Sequence, residues 1–366
     1  MKVLLIGEYS NVHWTLAEGL RALGHRVCVV SNGDFWKDYP RDISLTRNSY
    51  SKTEGILYFL KLLSILPRLR GYDIVQLINP MFFELKAERI FPIYRYLRRH
   101  NKKVFLGGFG MDYYWVHTCT DAHTFRYSDF NFGKDLRDNK FNQAEIADWI
   151  HGKKGELNRF IAQDCNGIIT GLYEYDACYR PHFPEKTRFI PFPINIRNTP
   201  ESHGEYRKKI RFFIGIQKER SVYKGTDVML RALERVAEEL PDCCEIVKAE
   251  SVPFEQYRHM MDNSHVLLDQ LYSYTPAMNA LLAMSKGLVL VGGGEEENYE
   301  ILGEKTLRPI INVLPDEEDV YRKLKDLALH PERIPRLSAD SREYIRRHHD
   351  HVNVARQYVE FWNEMP

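Results

Sequence analysis

The sequence predicts an α/β protein built from two consecutive βα domains. Brief apolar strands rich in β-branched residues alternate with amphipathic helices along the whole chain. A polar, apolar-poor stretch, NIRNTPESHGEYRKK (Asn195–Lys209), separates two halves that follow the same scheme. At 366 residues the chain also exceeds the roughly 250–300 residues that one hydrophobic core organises. The strands are continuously apolar rather than alternating. That is the pattern of a parallel sheet covered by helices on both faces.

In the first half, Val3–Ile6 is a strand ending at Gly7. A helical pattern follows through Leu16, Ala17, Leu20 and Leu23, closed by Gly24. Arg26–Val30, Asp73–Ile78, Lys103–Leu106 and Gly167–Thr170 repeat the strand form. In the second half the strands fall at Ile210–Ile216, Cys243–Lys248, His265–Leu271, Leu288–Val291 and Pro309–Val313. Asp227–Leu240 is an amphipathic helix that Pro241 stops, and Ser341–Trp362 is a last helix with a polar face. The expected division is 1–195, 196–340, and a C-terminal helix 341–366 packing back on the first domain. Ligands in such sheets sit beyond the carboxyl ends of the strands.

Composition narrows the function. A 44% hydrophobic and 28% charged chain of net charge +1 is an ordinary globular protein with no global pull toward nucleic acid. The cysteines at 28, 119, 165, 178, 243 and 244 fit neither a zinc site nor a disulfide framework and read as free thiols of a reducing compartment. The start, MKVLLIGEYS, reads as a first strand rather than a signal peptide. The longest apolar segment, Ile56–Leu66, is too short to span a bilayer. The expected location is the cytoplasm, or at most the inner face of a membrane as a peripheral protein. The basic run IYRYLRRHNKK (Ile93–Lys103), after the apolar Ile56–Leu66, motivates peripheral contact with an anionic membrane, although charge runs are commonly just solvated helix ends.

Two stretches can carry chemistry. In YSYTPAMNALLAMSKGLVLVGGG, Thr275 is a good N-cap, Pro276 suits the first helical position, and Ala277–Lys286 has high helix propensity before Gly287. Free N–H groups at that helix start, beyond the strand Val266–Leu271, suit a diphosphate, as they do at any helix start. In GIQKERSVYKGTD, Lys218, Arg220 and Lys224 follow a strand end in a short loop. Such cations suit a diphosphate, or simply decorate a solvated loop.

Several segments resemble the retaining glycosyltransferases of family 4. YKGTDVMLRALERVAEELPD is similar to the KG-x-x-x-L opening of their donor domain, and LAEGLRALGHRVCVV to their N-terminal LA-x-x-L-x-x-x-GH-x-V. FIPFPINI resembles their strand leading into the linker, and DQLYSYTPAMNALLAMSKGLVLV their DQL…EAMA-x-G-x-PV block. The resemblance implies the GT-B fold, two Rossmann-like domains facing across a cleft. It implies sugar transfer from a nucleotide-diphosphate sugar to a glycan or lipid-linked acceptor with retention, in cell-surface polysaccharide synthesis, without metal or other cofactor and without nucleic acid as partner. It gives Lys224 and Arg220 to the departing diphosphate, with His13 in the first loop as a further catalytic residue. Lys218, Asp269, Gln270, Tyr274, Thr275, Ala277, Met278 and Asn279 then fall to the donor, and Gly7, Phe109, Gly110 and Asp112 to the acceptor.

The sequence departs from that family where it has two Glu residues, which here are Tyr274 and Leu282. The run Glu295–Glu297 and Glu300 offers replacements, Glu296 and Glu300 being assigned to the donor, or else a solvated loop. The family's HG-x-D turn reads Phe109-Gly110-Met111-Asp112, and the loop GEYSNVH lacks the usual Gly pair. The aromatic run Asp112–Phe132, with His117 and His123 as candidate bases, lines a sugar site or packs as an insertion. His348, His349 and His351 fit no metal-ligand set and are expected to face solvent. Two alternatives stand beside transfer: a non-catalytic sugar-nucleotide-binding protein or scaffold of the same fold, and an epimerase, for which no acid and base can be placed.

Overall fold

The computed structural model describes residues 1–198, 209–217, 221–250 and 252–366. Lys218 and Arg220 lie outside them. The chain divides into two units: Met1–Arg126, Phe130–Pro193 and His351–Pro366 form the first, and Tyr127–Asp129 with Ile194–Asp350 the second.

The first unit opens with β1 (Lys2–Ile6), α1 (Val12–Ala22), β2 (Arg26–Ser31) and β3 (Ile43–Ser44), followed by α2 (Lys52–Ile65), β4 (Ile74–Leu77), α3 (Ala87–His100) and β5 (Lys103–Gly108). It continues through α4 (Tyr113–Cys119), the small antiparallel pair β6 (Asn131–Phe132) and β7 (Asp135–Leu136), α5 (Lys140–Trp149), α6 (Lys153–Asp164), β8 (Gly167–Thr170), α7 (Tyr173–Tyr179) and β9 (Thr187–Phe189). The strands form a seven-stranded sheet of order β3-β2-β1-β4-β5-β8-β9, parallel throughout. The chain builds outward from β1 to β3, then crosses back to lay β4 on the other side of β1. That reversal is the switch point where parallel sheets open a crevice.

The second unit contains β10 (Ile210–Ile216), α8 (Ser221–Lys224), α9 (Thr226–Glu239), β11 (Cys244–Glu250), α10 (Phe254–Asp262), β12 (Val266–Leu268), α11 (Met278–Ser285), β13 (Val289–Gly292), α12 (Glu296–Leu302), β14 (Ile311–Asn312), α13 (Glu317–Leu329) and α14 (Ile334–His348). Its five parallel strands run β11-β10-β12-β13-β14, so its switch point lies between β10 and β12. Met229, Leu233 and Val236 of α9 and Leu324 and Leu327 of α13 bury one side of this sheet in a single core.

Three expectations are corrected. The strand read as His265–Leu271 is only Val266–Leu268, because the chain turns out of the sheet at Asp269. The helix read from Thr275 starts at Met278 with Ala277 as N-cap; the Thr275 carbonyl instead accepts the Ser273 hydroxyl at 2.6 Å. The single helix Ser341–Trp362 is two helices, α14 and α15 (His351–Glu364). The break falls where Ile194 N–H donates to the His349 carbonyl at 2.7 Å and Ile194 pairs with Asp350, a main-chain anchor that an unbroken helix could not offer. The chain therefore returns to the first unit at 350/351 rather than 340/341, and leaves it at 193/194. His349 and His351 are buried beside this break, and His348 contacts the buried Glu304 at 2.7 Å; none of the three faces solvent freely.

The closing helix α15 lies along α1, with Ala355 beside Gly19, and its Phe361 ring meets Phe105 of β5 at 5.7 Å. The approach to α1 requires Gly19: a Cβ there would fall 2.2 Å from the His351 carbonyl oxygen, a backbone atom that cannot swing aside. Gly19→Ala is therefore expected to lower unfolding free energy by about 1–3 kcal/mol despite the better helix propensity of Ala. Urea denaturation of both proteins measures it, and an Ala variant as stable as wild type would mean that α15 does not pack there.

Candidate functional site

The switch point of the second unit gathers residues from four elements. Gly225, at φ 72°, sits between α8 and α9 in the left-handed region that glycine enters without penalty. This turn presses the chain against the end of β12: the Leu271 N–H donates to the Lys224 carbonyl at 2.9 Å. Asp269 follows β12 directly and accepts from Asn279 Nδ2, in the first turn of α11, at 3.2 Å. The Tyr257 hydroxyl of α10 donates to Asn279 Oδ1 at 3.1 Å, and its ring covers Gly215 in β10, where a Cβ would come within 2.7 Å. Burial pushes the Asp269 carboxyl above its ordinary range, while the nearby Lys224 ammonium and the hydrogen bonds from Asn279 and Gln270 oppose that shift. The result is a half-buried ammonium and carboxylate beside the first-turn N–H groups of an eight-residue helix, groups that no helix satisfies internally. Such a setting can hold an anion and a hydroxyl-bearing neighbour together.

A second network closes the other end of this strand edge. The Glu295 N–H donates to the Tyr274 carbonyl at 3.0 Å, and Glu295 Oε1 accepts from Asn312 Nδ2 at 2.9 Å and from the Tyr127 hydroxyl at 2.6 Å. The Tyr127 and Tyr274 rings stack at 4.8 Å. Tyr127, within the three residues assigned to this unit, was not singled out by sequence; its only signal was the aromatic richness around it. Among the acidic run, Glu295 is the inward member. Glu296 instead forms a two-pronged pair with Arg308 at the surface, and Glu300 is exposed on α12, so neither joins Asp269 and Lys224. Thr275 and Met278 are buried.

In the first unit the polar groups collect at the ends of β1, β4 and β5. Gly7 ends β1 at φ 85°, against Ile78, where a side chain would collide. The buried Glu8 caps α1, accepting the His13 and Trp14 N–H groups at 3.1 and 2.9 Å. His13 is fully buried, and its Nδ1 donates to the Gly7 carbonyl at 2.8 Å. This fixes the neutral tautomer whose Nε2 carries a lone pair, and Nε2 has no hydrogen-bond partner among the described residues. Burial lowers the His13 pKa to about 3 and raises that of Glu8 to about 8. The Tyr9 ring lies against Gly110, and Asn79 Nδ2 donates to the Met111 carbonyl at 3.2 Å, tying this turn to the end of β4.

Two residues expected on the acceptor side, Asp112 and Phe109, are buried. Asp112 is fully buried and works inward, as N-cap of α4 to the Trp115 N–H at 2.9 Å and as acceptor for the Tyr179 hydroxyl at 2.7 Å. Burial raises its pKa to about 7. Phe109 is also buried, edge-on to Phe192 at 5.3 Å. Glu8 and Tyr257 were missed because each was read for its neighbours: Glu8 stood in a loop judged for its glycines, and Tyr257 lay in a helix with no motif. Among the described residues, no group of three or more His, Cys, Asp or Glu is placed to hold a metal ion.

No protein-family model matches the chain, and no curated protein matches it by sequence. Solved structures do. Sucrose-phosphate synthase from Thermosynechococcus elongatus aligns with TM-score 0.66 at 12% identity, over 100% of this chain and 98% of that one. HepE of Anabaena, solved with UDP and glucose, aligns with TM-score 0.64 at 11% identity over 100% and 99%. WaaG, a glycosyltransferase involved in lipopolysaccharide biosynthesis, aligns with TM-score 0.58 at 11% identity over the whole of both chains. The fold is GT-B. In this GT-B chain each sheet's switch point carries polar residues: His13, Glu8 and Asn79 in the first unit, Lys224, Asp269 and Asn279 in the second.

The buried carboxyl of Glu8 has a consequence in solution. A carboxyl whose pKa rises from 4.5 unfolded to about 8 folded binds more protons in the folded state between those values. Its contribution is complete below about pH 4.5 and is lost as pH rises to about 8. Glu8→Gln is expected to flatten the stability profile over that window by on the order of a few kcal/mol. Urea midpoints across pH read this directly, and parallel wild-type and variant profiles would show that Glu8 does not titrate there.

Proposed function

We propose that the protein is a glycosyltransferase that moves a sugar, with retention, from a nucleotide-diphosphate sugar to a glycan or lipid-linked acceptor in cell-surface polysaccharide synthesis. The observation that carries this reading is the meeting of Lys224, Asp269 and Asn279 at the β10/β12 switch point, beside the start of α11. The bound UDP of HepE, a protein of similar fold, adds support for a nucleotide in a chain of this type.

In this reading the diphosphate lies between Lys224 and the first turn of α11. Bond cleavage at the anomeric carbon places extra negative charge on the departing diphosphate. A fixed ammonium holds that charge more tightly than it holds the intact donor, which lowers the barrier. The Asn279 side chain, braced by Tyr257, positions Asp269 so that the ammonium keeps its place. Arg220 or Lys218 supplies the second cation. His13, fully buried and neutral at working pH, holds the loop after β1 through its Nδ1 bond to the Gly7 carbonyl. Catalysis on these terms requires no metal, since the cations stand where Mg²⁺ acts elsewhere.

One feature favours a binding protein without turnover. Tyr274, where the family resembled in sequence has a carboxylate, is buried against Tyr127, and Leu282 replaces the other. Release of free sugar from UDP- and GDP-sugars without acceptor separates the two readings, because a scaffold binds and does not hydrolyse.

Lys224→Ala is expected to reduce kcat about 100–1000-fold, the usual cost of removing one such electrostatic group, and to shrink the melting shift induced by donor. Arg220→Ala is expected to act likewise; a small effect passes that role to Lys218. Unchanged turnover in a folded Lys224→Ala protein would remove Lys224 from the mechanism.

A further inference from the structure

Helix α2 is apolar on both of its faces. Tyr58, Leu62 and Ile65 point into the first unit and are buried. On the opposite side Ile56, Leu57, Leu60 and Leu63 are 58%, 54%, 56% and 43% exposed. Their spacing of four, then three, places Ile56, Leu60 and Leu63 on one stripe, with Leu57 beside it. Isolated exposed aliphatics are ordinary, but a contiguous stripe along one helix marks a surface that is covered in use. A helix apolar all round is normally buried all round.

The surroundings of the stripe are cationic. Lys52 and Lys61 are exposed on α2 itself, and Arg68 and Arg70 on the turn after it. Helix α3 lies alongside: the Tyr96 hydroxyl donates to the Leu66 carbonyl at 3.1 Å, and the Arg89 guanidinium lies 5.3 Å from the Phe59 ring centre. It adds exposed Arg89 and Arg99, against Glu54 and Glu88 as the nearby acids, while Arg95 lies over the Phe160 ring of α6 at 5.4 Å. None of these cations forms an ion pair among the described residues, whereas Arg98 on the other side of α3 is turned inward toward Asp164 at 3.4 Å. The basic run Ile93–Lys103 is thus not a surface by itself. Ile93, Tyr94 and Leu97 are core, Arg95 and Arg98 face α6, and Arg99 shares with Tyr96 the side of α3 next to α2.

We propose that the exposed face of α2 lies in the surface of an anionic lipid bilayer, with its apolar stripe among the acyl chains and its flanking Lys and Arg residues at the headgroups. Three points select this occupant. No described helix is long and apolar enough to cross a membrane, and fourteen residues of α2 make about 21 Å, short of the roughly 30 Å core, so the helix lies on the bilayer rather than through it. An apolar stripe bordered by basic side chains is the arrangement that interfacial helices use. A second copy of the chain meeting the same face across a two-fold axis would set these cations against their own counterparts, which opposes that assembly. This inference is independent of the donor chemistry.

The test is co-sedimentation of the full chain with phosphatidylcholine vesicles, with and without phosphatidylglycerol, at low and high salt. The expected result is binding to the anionic vesicles that weakens with salt. Leu57→Ser/Leu60→Ser is expected to reduce that binding by roughly tenfold or more, and Lys61→Glu/Arg68→Glu by at least about fivefold per charge removed. Both variants change exposed positions, and thermal melting like that of wild type verifies their folding. Should either variant fail to fold, the single exchanges Leu60→Ser and Lys61→Gln carry the same comparison. Equal binding to neutral and anionic vesicles, binding indifferent to the substitutions, or no binding at all overturns the proposal. So does a concentration-dependent dimer in sedimentation velocity that Leu57→Ser/Leu60→Ser dissolves, because the face then belongs to a second copy. None of these readouts involves sugar transfer, so failure here leaves the proposed reaction untouched, and an inactive donor site leaves the vesicle result intact.

Discussion

A parallel strand covered by helices on both faces has no place for a charge along its length. Residues such as Val3–Ile6 and Val266–Leu268 are entirely enclosed, and an unpaired charge among them would cost several kcal/mol. Charged side chains are therefore driven toward the strand ends. Glu8 follows β1, Asn79 lies just beyond β4, Asp112 follows β5, and Asp269 and Glu295 lie just beyond β12 and β13. The location of chemistry in this chain is a by-product of what its sheets exclude.

Desolvation then sorts these ends by character. In the first unit Glu8, Asp112 and His13 are all pushed toward their uncharged forms, and the hydrogen bonds they make are local: a helix cap, a tyrosine hydroxyl, a carbonyl at the end of β1. That environment matches neutral, hydroxyl-rich groups. In the second unit Lys224 offsets the same penalty on Asp269, and the local field retains a cation beside a helix start. The two switch points share a topology and differ in electrostatics.

Most strands and the existence of two units were legible because burial on both faces leaves unbroken apolar runs. Short edge strands were not: Ile43–Ser44 and Thr187–Phe189 have too few residues to show a period. The start of α11 was misread because Thr275-Pro276 carries the local signals of a helix start, while the Ser273 hydroxyl bond holds this segment in a turn that ends two residues later. His349 and His351 looked like surface residues because their sequence neighbours are charged, and only the long-range pairing with Ile194 shows why they are buried. Lys224, Asp269 and Asn279 could be named from sequence, yet their meeting depends on contacts across more than forty residues of chain. Tyr257 left no signal, because a lone tyrosine in a polar helix resembles many others.

The helix that covers β5 and β8 is α15, which comes after the whole second unit in sequence. Phe361 packs on Phe105 and over Gly167, and the Lys103 ammonium donates to the Trp362 carbonyl at 3.0 Å across 259 positions. A ribosome therefore releases the whole first sheet, and then the entire second unit, before the piece that closes the first becomes available. The second unit, whose elements between Ile194 and Asp350 are contiguous apart from three residues, can complete itself first. Domains commonly fold in the order of synthesis. Here the order of completion runs backward, and an apolar flank of the first unit stays uncovered until α15 has been made.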